Sequence, residues 1–180
     1  MRKKNKALWD KITRSLDDFE VQAGWFENTK YEDGTSVAGI AAVQNYGAQI
    51  TVTDKMRNYL HYLGIHLSQS KGDIIIPPRP FMDKAKARIQ GQEGKQILLQ
   101  ELLRVFEGRQ TMEQATSRLA KWLQGIIQEE IKNTTDPPLS EATIEIRNNE
   151  YASKSKNSST KPLNSSGIMF STVQSKVTKK

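Results

Sequence analysis

His61 and His66 are the only imidazoles in a chain of 180 residues that has no cysteine. A thiolate metal site and a cysteine nucleophile are therefore excluded. On a helix, a separation of five puts the two histidines on different faces, so a shared metal ion is not expected. Both stand among tyrosine and leucine, as packing or surface groups do. The acid pairs Asp17-Asp18, Glu32-Asp33 and Glu129-Glu130 are sequence neighbours. Neighbouring positions do not converge in space, and they read as solvated faces rather than acid–base pairs. Gly34, Gly39 and Gly47 are spaced too widely to cradle a phosphate. No G-x-S-x-G elbow, Walker loop or dinucleotide fingerprint is present. A catalyst would have to be assembled from lysine, tyrosine and carboxylates with no recognisable arrangement. The chain is therefore not expected to be an enzyme, and no catalytic, metal or cofactor residue is assigned.

The elements that would carry these residues can be read from periodicity. Leu8, Trp9, Ile12, Leu16 and Phe19 recur at helical steps, predicting an amphipathic helix over about 6–19. A short strand follows at 21–26, and then a polar turn through Asp33-Gly34. Thr35 or Ser36 is placed to cap a helix through Val37, Ile40, Ala41 and Val43, with Gly47 as its stop. Residues 50–72 read as a helical insertion with a mobile or surface tip. Ile74–Ile76 is a β-branched run, and Pro77, Pro78 and Pro80 end it in a rigid extended segment. Residues 81–133 are helical in two or three pieces, weakened at Gly91 and Gly94 and separated by 108–111. Thr111 with Gln114 forms a capping box, and Trp122 is expected in the core with Leu119 and Ile126. Ser140 caps one more short helix. A helical turn and a strand close the chain at 168–177. The fold class is α+β: a small, mostly antiparallel sheet packed by long helices, with extended N- and C-terminal segments.

Charge is uneven. The net charge is +7, with residues 1–15 at +5 and residues 151–180 at +6, leaving −4 for the body. The run 151–161, YASKSKNSSTK, lacks an apolar anchor and reads as disordered before assembly. The expected organisation is one domain over 1–150 and a flexible basic arm over 151–180 that ends in a short ordered motif. No stretch of 18 apolar residues exists, so no membrane span is expected. The first residues are basic but lack the apolar segment of a secretion signal.

Three blocks, taken in order, resemble a known family. They are GWFENTKYEDGTSVAGIAAVQNYGA at 24–48, IIIPPRPFM at 74–82, and PPLSEATIEIR at 137–147 with KPLNSSGIMFSTVQSKV at 161–177. This order is similar to that of the tail-completion, neck and virion-morphogenesis proteins of tailed phages. There a strand and a DGTSVA segment lead to IPPRPF, then to helices, then to a PLxxTGxMxxSV segment. Here Gln44-Asn45-Tyr46-Gly47 replaces the usual Asn-Glu-Tyr/Phe-Gly, and Ser165-Ser166-Gly167 replaces Asp/Asn-Thr-Gly. The resemblance implies a structural virion protein of the neck, made in the host cytoplasm, which completes the head-proximal end of the tail. It implies a homo-oligomeric ring, six copies by analogy with six-fold tails. The implied neighbours are a tail terminator or tail-tube protein on one side and head-connector proteins on the other. DNA passing through the lumen would be touched without sequence preference.

Subunit contacts are then expected at Asp33 and Thr35 in the turn, at Pro77, Pro78, Arg79, Pro80 and Phe81, and at Lys161, Leu163 and Met169. Prolines restrict the backbone in advance, so such a segment can carry Arg79 to a carboxylate on a neighbour at low entropic cost. The competing view of Arg79 is a solvent-exposed arginine at a strand exit. The competing view of the whole chain is a small basic nucleic-acid-binding protein that uses both ends.

Overall fold

A computed structural model describes residues 3–148 and 160–180. Among these residues the chain is α+β, with eight helices and two antiparallel pairs of strands. The strands fall near the expected runs, but they form two separate ribbons, not one sheet. The chain packs into two compact units.

The first unit comprises 1–26, 82–130 and 173–180. Its first helix, α1 (Lys3–Asp17), leads into β1 (Phe19–Gly24). Ile12 of the apolar stripe is buried, and Trp9 meets Phe106 edge to face at 5.8 Å between ring centres. Further along the chain, α4 is Phe81–Gln90, α5 is Gln92–Phe106 and α6 is Met112–Asn133. The break between α4 and α5 falls at Gly91. A Cβ on Gly94 would run into the carbonyl of Ile89, so the two helices meet this closely only because residue 94 is glycine. Arg88 reaches across the break to Glu93 at 2.9 Å and also contacts Glu129 and Glu130. At the start of α6 the capping box forms in both directions: Gln114 N donates to Thr111 Oγ1, and Thr111 N donates to Gln114 Oε1.

The last strand, β4 (Gln174–Lys179), pairs antiparallel with β1 from Phe19 opposite Lys179 to Gly24 opposite Gln174. Gln124 on α6 fixes it, donating to the Val173 carbonyl at 2.9 Å and accepting from Ser175 Oγ at 3.0 Å. Ile126, Ile127, Leu102 and Val173 are buried, and each such side chain contributes about 1.5–3 kcal/mol. Trp122 and Leu119 are only half-buried. The core of this face of α6 is Ala115, Ala120, Ile126 and Ile127, so the tryptophan lies at its margin.

The second unit comprises 27–81 and 131–172. A turn at 31–35 is closed by Tyr31 N donating to the Thr35 carbonyl and by Thr35 N donating to Asp33 Oδ1. Ser36 then caps α2 (Val37–Tyr46) by accepting from Gly39 N, and the helix stops at Gly47. Next come β2 (Ala48–Thr51), α3 (Asp54–Tyr62) and β3 (Asp73–Ile76). β2 and β3 pair from Ala48 opposite Ile76 to Thr51 opposite Asp73. The expected insertion at 50–72 is thus a helical excursion on a β-ribbon stem. Its tip lies at the surface, where Arg57 on α3 donates to the carbonyls of Leu67, Ser68 and Lys71. After α6, α7 (Glu141–Asn148) starts at its Ser140 cap, and α8 (Ile168–Ser171) packs on α2. The polar run 151–161 lies outside the described residues except for Thr160 and Lys161.

Candidate functional site

All ten residues expected at subunit contacts belong to the second unit. Their local structure separates them. Asp33, Thr35, Pro78, Pro80 and Lys161 are exposed, Pro77 is half-buried, and Arg79, Phe81, Leu163 and Met169 are buried.

Arg79 departs from both views of it. It is neither solvent-exposed nor extended toward a neighbour, being only 3% exposed. Proline on both sides fixes the direction in which its side chain leaves the backbone, and that direction is inward. Its backbone N donates to the Gln44 carbonyl at 2.8 Å. In the side chain Nη1 donates to Gln44 Oε1 at 3.0 Å, Nε to the Pro137 carbonyl at 2.8 Å and Nη2 to the Pro138 carbonyl at 3.0 Å. Proline carbonyls make natural partners here, because Pro137 and Pro138 offer acceptors without competing donors. Burial lowers the Arg79 pKa from its ordinary value, and the Asp136 charge partly opposes that shift. The guanidinium therefore ties 44, 79 and 137–138 together.

A second arginine acts in the same way. From the end of α7, Arg147 donates to the carbonyls of Lys161 at 2.9 Å and Pro162 at 3.2 Å. The segment after residue 160 is thereby caught by the helix that precedes 149–159. Burial lowers the Arg147 pKa, and the positive charge of Arg79 adds to the effect. Between the Arg147 guanidinium and α2 lies a cavity of about 100 Å³, walled by Tyr31, Ile40, Gln44, Leu163 and Met169. That is room for a few waters or one small side chain. Burial, then the Asp33 carboxylate, push the Tyr31 phenol above its ordinary pKa.

Chemically this is a set of clamps on backbone carbonyls, with an aromatic and apolar wall. No histidine lines it, and Arg79 donates to backbone carbonyls and a side-chain amide oxygen rather than to a carboxylate. Sequence reasoning missed Arg147 altogether, because one arginine inside IEIRNN carries no signal of a carbonyl cluster. It also missed the inward turn of Arg79, although the flanking prolines were legible.

The two histidines are a further correction. They are not on separate faces: His61 Nδ1 and His66 Nδ1 are 2.8 Å apart. Helical spacing does not apply across the pair, since α3 stops at Tyr62.

No described helix is long and apolar enough to cross a membrane. Compared with known proteins, the chain matches no family model, no curated protein and no solved structure.

Proposed function

We propose that this chain is a structural assembly protein rather than a catalyst. More particularly, we place it in the phage neck, as a ring component that completes the head-proximal end of a tail and joins it to the head connector. The observation that best supports this reading is the bonding of Arg79. The three blocks that resemble neck and tail-completion proteins are distant in sequence, and one buried guanidinium joins them at Gln44, Arg79 and Pro137-Pro138. Motif residues used in this way build a frame. The exposed members, Asp33, Thr35, Pro78, Pro80 and Lys161, are then left for contact with tail-tube or terminator subunits and with the connector.

Cryo-electron microscopy of virions and of separated tails tests the assignment. Density for this chain as a closed ring at the head-proximal end is the expected result, with six copies the expected count. Absence of the protein from mature particles overturns it. Disruption of the gene should leave filled heads and unjoined tails.

One observation favours the nucleic-acid reading as an alternative. Lys11 and Arg14 near the start of the chain and Lys176, Lys179 and Lys180 near its end belong to the same compact unit, where β1 pairs with β4. Binding of duplex DNA by the isolated protein, weakening steeply as salt rises, combined with absence from particles, would favour that reading.

A further inference from the structure

The histidine pair is set in place by the way α3 ends. Leu63 is the cap residue, and Gly64 follows at φ 85°, in the left-handed region that glycine enters at low cost. Gly64 N donates to the His61 carbonyl, and Ile65 N donates to the Leu60 carbonyl, both at 2.9 Å. These two bonds are the paired closure of a Schellman motif. The chain reverses there, Leu63 and Ile65 are buried, and His66 is carried back to the last turn of the helix beside His61. Beyond His66 the backbone is held by Arg57, through Leu67, Ser68 and Lys71. Both imidazoles therefore stand on backbone that is bonded on either side of them.

The rings lie 4.6 Å apart between centroids with their planes 69° apart, and both side chains are exposed. At 2.8 Å, one Nδ1 must donate and the other accept, so the two lone-pair directions converge on the proton between them. A metal ion can take the place of that proton. With metal–nitrogen bonds of about 2.0–2.1 Å at a tetrahedral angle, the two nitrogens sit about 3.3 Å apart. The rings need to separate by only about half an ångström, which small side-chain rotations supply. Among the described residues no cluster of three or more metal-ligating side chains occurs, so the remaining positions on the ion would be filled by water. Imidazole donors select zinc, nickel and copper over magnesium or calcium.

We propose that His61 and His66 form a two-imidazole site for a late first-row divalent ion, bound through both Nδ1 atoms. The site does not depend on the assembly role proposed above. The test uses the full chain without an affinity tag, titrated calorimetrically with zinc chloride and nickel chloride. Its background is low, because the chain holds no other histidine and no cysteine. One ion per chain is expected, with His61→Gln and His66→Gln each weakening binding at least tenfold at unchanged helix content. Imidazole ¹⁵N spectra of the unaltered protein decide the matter even if a variant fails to fold. Zinc should shift the Nδ1 resonances of both residues together. Uptake of neither ion, binding that survives loss of both histidines, or a shift confined to Nε2 overturns the proposal.

Discussion

A single guanidinium with only carbonyl and amide partners is an economical way to fix a loop. Three acceptors from two remote segments meet one rigid fork, and the fork cannot lose its charge under ordinary conditions. Arg79→Ala would leave the carbonyls of Pro137 and Pro138 and the Gln44 amide oxygen without the donor that the buried guanidinium supplies. Pro138 is exposed and Pro137 and Gln44 are half-buried, so water takes up part of the lost bonding and a loss of about 1–3 kcal/mol is expected in urea unfolding. Arg79→Lys should recover only part of it, since an ammonium cannot span all three acceptors. At the surface of the first unit, hydrogen bonds from Arg88, opposed in part by desolvation, hold the Glu93 carboxyl below its ordinary pKa. A depressed carboxylate contributes stability that is present above its unfolded pKa and is lost as pH falls through the folded value. In an NMR titration Glu93 should protonate at lower pH than unpaired surface glutamates, and Arg88→Gln should return it to the ordinary range. The residue scale is also where sequence reasoning was weakest. Ser36, Thr111, Gln114 and Ser140 were legible as caps, because capping depends on neighbours three positions away. The partners of Arg79, Arg147 and His66 are set by chain reversals and by residues as many as 59 positions distant, which no local pattern encodes.

Among the elements, nearly every helix and strand was visible from periodicity, and what failed was their pairing. Alternation identifies a strand but does not name its partner, and where one small sheet is expected the chain forms two ribbons. The C-terminal block shows the cost of that ambiguity. Expected as a strand at the end of a basic arm, it supplies β4 and the buried Val173 to the first unit. A chain ending at Thr172 should therefore lose cooperative thermal unfolding of that unit and expose β1 as an open edge that promotes aggregation. Circular dichroism melts and light scattering would show both effects, and a soluble protein with an unshifted melt would contradict this account. Trp122 gives a smaller correction of the same kind. A helical stripe has a centre and margins, and periodicity does not tell them apart. Because it is half-buried, Trp122→Ala should cost about 2 kcal/mol in thermal or urea unfolding, below the 3–5 kcal/mol of a core aromatic.

For the molecule as a whole, the proposed assembly role separates residues that hold the frame from residues that would face a neighbour. Thr35→Ala, Pro80→Ala and Lys161→Ala alter exposed side chains, so each should leave the melting temperature within a few degrees of the parent. Under the neck reading, the three changes combined should reduce incorporation into particles by tenfold or more, measured by quantitative immunoblot of purified virions. Leu163→Ala, by contrast, should act through the fold, at about 2–5 kcal/mol. If the combined surface variant assembles normally, the contacts lie elsewhere.

The pairing of β1 with β4 also governs time. The partners are 150 to 160 positions apart along the chain, so the contact closes one of the longest loops the chain can make. Loop entropy rises only logarithmically with length, but it must be met before the ribbon returns any hydrogen bonds. During synthesis at roughly 5–20 residues per second, β1 emerges roughly eight to thirty seconds before its partner exists. Throughout that interval the nascent chain carries a strand with no complement. This should make refolding slow, and it gives a chaperone, or a second nascent copy offering the same β4 register, the first opportunity to occupy that edge.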